Sequence, residues 1–562
     1  MSWFWGRVGL EYYDLGSYTW PVSVQGAEAQ IWFDRGLAWT YGYNHGEAIV
    51  CYKRAAMLDP TAAMPWWGAA YAAGPNYNLP WALLDPAGQA KALREAYLAT
   101  QEALSRADGG SPVEQALIHA LQARYPQAEP IPDMTAWDQD FAVAMRAVFE
   151  RFPDNLDVRA LFAEALLNLT PWKMWDLRTG TPADGAATLE ARQVLEEALT
   201  DLPGAMAHPG LLHLYVHLME MSPWPEKALK AADVLRTLVP DAGHLVHMPT
   251  HIDILCGHYQ NVVLWNQQAV EADLKFYRSE GAFNVYTGYR QHNYHFVIYG
   301  AMFLGQMAPA RAALKGLEDT TPEAMLRVPS PPMADFFESY LAFEPHLLVR
   351  FGCWDEALAL DLPTDPDLYC TKTAYVHYAR TIAFAALDRV VEAEAEEARF
   401  LAACARVPDS RLLHNNRIVD LLEVAKEMVR GEIAYRKGAH DAAFAHLRQS
   451  VALEDDLPYD EPWGWMQPAR HALGALLFEQ GRLEEAEAVY REDLGLGGAL
   501  SRASVHPDNV WSLKGLHDCL QARGEDREIL NIRQRLDLAL ARADRAVAAS
   551  CFCAQAAMRA AE

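Results

Sequence analysis

Small and aromatic residues recur along this chain at the spacing of a helical hairpin, and that repeat constrains the fold more than any local pattern. Trp32-Phe33-Asp34-Arg35-Gly36-Leu37-Ala38-Trp39 is followed by Ala48, Tyr52, Ala55 and Pro60. The same phase returns at Gly431, Gly438 and Ala443, and again at Leu473, Gly474, Gly481, Ala486 and Tyr490. Weaker copies run through Gly300 and Ala312, Ala228 and Pro240, and Trp354, Ala357 and Ala359. Each small residue is expected where two helices come closest. Residues 189–199, 374–405 and 529–549 place apolar side chains three and four apart, the period of a half-buried helix. No stretch shows the period-two alternation and turn chemistry of a β-hairpin. The predicted class is all-α.

These spacings resemble the tetratricopeptide (TPR) repeat, which implies a TPR-type α-solenoid of degenerate repeats with insertions. Such units cannot bury their faces alone, so they stack into a superhelix with a concave surface. Roughly seven to ten units fit the length, with insertions near 74–87, 125–155, 172–187 and 275–292. The predicted organisation is an aromatic-rich segment (1–25), N-terminal helical units with insertions (26–200), histidine-rich central units (201–330), C-terminal units (331–545) and an Ala-rich tail (546–562). Tyr13-Asp14-Leu15-Gly16, Gly74-Pro75-Asn76-Tyr77-Asn78 and His244-Leu245-Val246-His247-Met248-Pro249-Thr250-His251 narrow the resemblance. They are similar to bacterial and fungal TPR proteins allied to the animal TPR-domain-38-like group. That resemblance implies the superhelix and a recurring set of histidines, and brings no activity.

Nine of the 19 histidines lie between positions 208 and 295. His213 and His217 are four apart, as are His247 and His251, so each pair shares a helix face. The pairs are offset by 34 residues, the TPR period, and should occupy equivalent places on neighbouring first helices. Adjacent helices pack about 8–10 Å apart and a Zn–N bond is about 2 Å, so the two pairs are expected to converge on one ion. Pro249 limits how far the second of these helices extends upstream. His292 and His295 are candidates to cap the same site, although His292 follows His247 by 45 residues, 11 beyond the repeat. His208, His244 and Glu220 are further ligand or supporting candidates. Asn76, Tyr77, Tyr289 and Arg290 are candidate substrate contacts, the arginine as a carboxylate clamp. Imidazole clusters suit Zn, Cu or Fe.

Composition excludes other classes. With 48 Lys+Arg against 74 Asp+Glu the formal charge is −26, which argues against a phosphate-backbone binder. The chain carries no Walker loop, dinucleotide fingerprint, G-x-S-x-G elbow or His-Glu-x-x-His. Residues 1–20 show no basic n-region or apolar h-region, so no secretion signal is expected, and no run of about 18 apolar residues is found. A soluble, cytoplasmic protein without membrane or nucleic-acid partners is expected, its eight cysteines reduced. Two functions remain open. A metal-dependent enzyme, oxidative or hydrolytic, predicts a closed groove over the histidines that buries a small-molecule substrate. A TPR interaction module, binding a peptide or protein partner, predicts an open groove lined by Lys, Arg and Asn.

Overall fold

The computed structural model describes residues 12–554, so Met1 to Glu11 of the N-terminal segment and residues 555–562 of the Ala-rich tail lie outside the described residues. The described residues form twelve antiparallel helical hairpins stacked in chain order, from Ala27–Tyr41 with His45–Leu58 to Val510–Arg523 with Asp526–Leu540. Two two-residue strands, Leu412–Leu413 and Asn416–Arg417, make the one strand pairing of that kind among them. No helix of the described residues is long and apolar enough to cross a membrane. The fold class is the all-α, TPR-like stack that the repeat implies. The hairpin count exceeds the sequence expectation because units such as Pro112–Arg124 with Thr135–Arg151 lack the glycine and aromatic markers that betray the others.

Those markers do two jobs rather than one. Gly438 and Gly481 were expected at helix contacts; they instead form the turns inside their hairpins, with φ of 73° and 72°, a left-handed conformation that favours glycine. Gly36 and Gly68 sit at true close approaches. A Cβ on either would lie 2.7 or 2.4 Å from the Tyr52 ring, which is wedged between the two helices and bonded to Thr40 Oγ1 at 3.0 Å. Tyr490 repeats the device between Gly474 and Gly515. Because Tyr52 is held on both sides, Gly68→Ala is expected to destabilise by about 1–3 kcal/mol through overpacking, even though alanine is the better helix former by about 1 kcal/mol. Thermal denaturation checks this, and an unchanged or higher midpoint would contradict the wedge.

Long-range contacts fill the inner side of the stack. Tyr41 packs against Gly210 and sends its hydroxyl to Asp157 (2.8 Å), joining the first hairpin to the helix Pro209–Glu220. From the other end, Trp511 donates to the carbonyl of Met302 (2.6 Å) and Arg502 to that of Leu255 (2.6 Å). The last units are tied by buried Asp493, whose carboxylate accepts from His471 (3.0 Å), His506 (2.8 Å), Asn509 (2.8 Å) and Ser512 (2.6 Å). The start of the Ala-rich tail belongs to this core: Ser550 bonds Tyr490 (2.6 Å), and Phe552 and Cys553 are buried. One expectation is corrected there, since Cys551 and Cys553 are disulfide-bonded while the other six cysteines are free.

Candidate metal centre

The histidine-rich sequence folds into three consecutive inner helices. Pro209–Glu220 opens with Pro at its first position, where no helical N–H is lost, and carries His213 and His217. Pro249 divides the next helix into Gly243–His247 and Pro249–Leu255 without changing its course, since Met248 keeps helical angles, so His244, His247 and His251 stay on successive turns of one side. Thr287–Leu304 carries His292 and His295.

The two i, i+4 pairs do not converge on one point. Each recruits a third ring instead: His213, His217 and His244 form one group, and His247, His251 and His292 the other, with the ligand atoms of each group within 4.8 Å of one another. All six are at most 6% exposed. A group holding all four of these histidines does not form among the described residues; His217 and His251, one from each pair, instead share a third group with Glu220 and Glu461.

The triads are oriented by fixed acceptors. His213 donates Nδ1–H to the carbonyl of Tyr41 (2.7 Å), and His217 Nδ1 lies 2.9 Å from Glu220 Oε1. His251 Nδ1 reaches Glu220 Oε2 at 2.6 Å and Glu461 Oε2 at 3.1 Å. His247 Nδ1 reaches Asn266 Oδ1 at 2.6 Å, and the Asn266 amide nitrogen is committed to Thr250 (2.9 Å) and the Val262 carbonyl (2.8 Å), which fixes the oxygen toward the ring. With these Nδ1 protons spent outward, the Nε2 lone pairs turn inward. His247 Nε2 and His251 Nε2 face each other at 2.7 Å.

Burial, then the neighbouring histidines, holds His217, His244 and His292 well below the ordinary imidazole range, and burial with His251 does so for His247. His213 is pushed down to about 3 by burial. These are neutral imidazoles, the form that ligates metals. Burial and Glu461 raise Glu220, whereas Glu461, which burial alone would raise, is held low by His251 and its bond with Glu220.

Other predicted residues fall elsewhere. His295 turns to Met466 (3.0 Å) and stacks on Phe343, outside both triads. His208 caps its helix, accepting from the Leu211 amide (3.1 Å), with its other nitrogen 3.3 Å from Asp157. Arg290 is no clamp in this geometry: it is buried, donating to the Thr320 carbonyl (3.0 Å) over the Tyr277 ring. Asn76 ties its own turn, accepting from the amides of Asn78 and Leu79 at 2.9 Å. Tyr77 lies 4.6 Å from the His217 ring and walls the first triad. Tyr289 lines the cavity and packs 4.5 Å from His244.

That cavity, about 450 Å³, opens onto His244, His251 and His292. Its walls are mostly apolar, with Leu79, Leu83, Leu84, Trp172, Phe336 and Phe337 prominent. The insertions near 74–87, 172–187 and 275–292 all contribute to it. At the rim, Ser330 bonds Asp85 (2.5 Å), linking two loops 245 residues apart.

Sequence reasoning missed Tyr43, Trp172, His414 and Glu461. Tyr43 covers His213 at 4.6 Å, and His414, bonded to Asp460 (2.5 Å), stacks on His292 at 5.0 Å. Backbone geometry marks three of them. Of the five non-glycine residues with positive φ among those described, Tyr43, Trp172 and His414 all border the site. Such strain costs about 1–3 kcal/mol each and gathers where function requires it.

No family model matches the chain, and no curated protein matches it. Among solved structures it is similar to Naa15/Naa10 bound to HypK-THB, with a TM-score of 0.21 and 12% identity over 91% of this chain and 70% of that one. It is also similar to the APC/C hetero-tetramer Cut9-Hcn1, with a TM-score of 0.26 and 11% identity over 96% of this chain and 97% of that one.

Proposed function

We propose that this chain is a metal-dependent enzyme acting on a largely apolar small molecule, with a transition ion (Zn, Cu or Fe) held by His247, His251 and His292. The observation that carries the reading is the 2.7 Å approach of two Nε2 atoms whose Nδ1 protons are already committed. Two lone pairs that close repel unless a proton or a cation lies between them. A proton bridges only two nitrogens, whereas three converging rings are what an imidazole-favouring ion takes.

When bound, such an ion supplies a polarised water, a Lewis-acidic centre or a site for dioxygen. The chain supplies the rest. The apolar walls exclude water and hold a substrate of ordinary ligand size, since about 450 Å³ falls within the usual range for small-molecule sites. Tyr289, Asn415 and His414 give the cavity polar edges that orient it. His414 is raised by Asp460 against the effect of burial and is a hydrogen-bond donor on the wall. The resemblance to the TPR-domain-38-like group is part of this reading, as is a cytoplasmic location.

The test is elemental mass spectrometry on untagged protein beside a His247→Ala, His251→Ala double variant. Near-stoichiometric metal that disappears in the variant is the expected result. A wild type that takes up none, even after reconstitution, overturns the reading in favour of a hydrogen bond between the two Nε2 atoms of His247 and His251. The chain would then be read as an interaction module, whose partner surface has to lie outside the filled inner face.

A further inference from the structure

We propose that the centre holds two ions, the second in His213, His217 and His244. This rests on the metal reading above and extends it to a triad with its own unmet need. His213 and His217 both spend Nδ1 outward, so both present Nε2 lone pairs inward. A proton on His244 Nε2 can serve His213, 3.1 Å away. It leaves His217 Nε2 and His244 Nδ1 without any partner, both buried. A buried acceptor with nothing to accept is costly, and a cation among the convergent nitrogens of the three rings removes the cost at His217.

The two triads are built as one unit. Glu220 holds one ring of each, His217 through Oε1 and His251 through Oε2, so a single carboxylate sets the orientation of both halves. Rings of the two groups approach to 5.9 Å between His244 and His247 and 6.1 Å between His217 and His251. The Glu461 carboxylate, grouped with Glu220, His217 and His251, touches a ring of each triad and offsets cationic charge that imidazole ligands do not. The cavity reaches His244 of the first triad as well as His251 and His292 of the second, so a molecule filling it faces both ions. All-imidazole triads fit Cu, Zn or Fe rather than Mg or Ca. A pair of this kind stabilises charge at two neighbouring atoms of one substrate, which a lone ion does not.

The experiment strips the full chain with chelator, reloads it with Zn(II) or Cu(II), desalts it and counts metal per chain. Two ions per wild-type chain are expected, falling to one in His213→Ala and to one in His292→Ala. A wild type that saturates at one ion overturns the pair and leaves the metal reading standing, whereas zero removes both. Two ions that neither variant lowers also overturn the pair, because the second would then sit elsewhere. If either alanine variant fails to fold, His213→Gln and His292→Gln take its place, each expected to hold one ion, and two ions in both contradict the pair.

Discussion

Replacing Glu220 with alanine is expected to weaken metal binding by about 100-fold or more, measured by competition with a chelator of known affinity. Outer partners of metal-bound histidines are each worth about 10–100-fold in affinity, and Glu220 serves two rings, at 2.9 and 2.6 Å. Its loss frees His217 altogether and leaves His251 with the longer contact to Glu461 at 3.1 Å. Glu220→Gln should fall between wild type and alanine, because the amide keeps one acceptor oxygen and can orient one ring but not both. That ordering separates positioning from simple packing. An alanine variant with wild-type affinity and only a lower melting midpoint would refute the role.

Asp493→Ala is expected to destabilise the C-terminal units by about 4 kcal/mol or more. The side chain accepts four hydrogen bonds in the core, from His471, His506, Asn509 and Ser512. Bonds to a charged acceptor are worth about 1.5–3 kcal/mol each and are not additive, and the orphaned donors carry their own desolvation cost. Denaturant unfolding followed by tryptophan fluorescence measures it, Trp511 lying in this region. A loss below about 1 kcal/mol would show that water replaces the carboxylate.

Acid lability follows from the same knot. Burial pushes His471 down to about 4, so its ring stays neutral in the fold while the unfolded side chain takes a proton near its ordinary 6.5. The unfolded state therefore binds more protons between those values, and stability falls as pH drops from about 6.5 to 4, by roughly 3 kcal/mol for this group. Asp493, which burial alone would raise, is held well below its ordinary value by His471 and His506, so its contribution is lost at still lower pH. A His471→Gln variant should show a shallower decline over the same interval. Equal slopes would assign the acid sensitivity to other groups.

The helical stack was legible because its determinants are local. A glycine that admits a tyrosine ring and a turn residue at positive φ recur at fixed spacings, so Gly36 with Tyr52, Gly474 with Tyr490, and Gly438 and Gly481 marked hairpins before any contact was known. Hairpins whose interfaces pack ordinary apolar side chains, such as Pro112–Arg124 with Thr135–Arg151, left no mark and were undercounted. The pairing of His213 with His217 and of His247 with His251 was equally readable, since helix geometry fixes what lies four residues apart.

How those pairs are shared out was not. Partition into two triads depends on His244 and His292 each arriving from the helix next to the pair it joins. Glu461 and His414 come from more than a hundred residues downstream, in loops whose composition resembles any other turn. Arg290 read as a clamp because a sequence shows charge without depth, and burial against Tyr277 gives it a carbonyl for a partner instead. The sequence by itself determined an all-α stack of hairpins with histidines on its inner helices, because spacing along a helix is a local property. Only the tertiary structure decided which nitrogen faces which and that a cavity covers them, because those depend on long-range packing that periodicity does not encode.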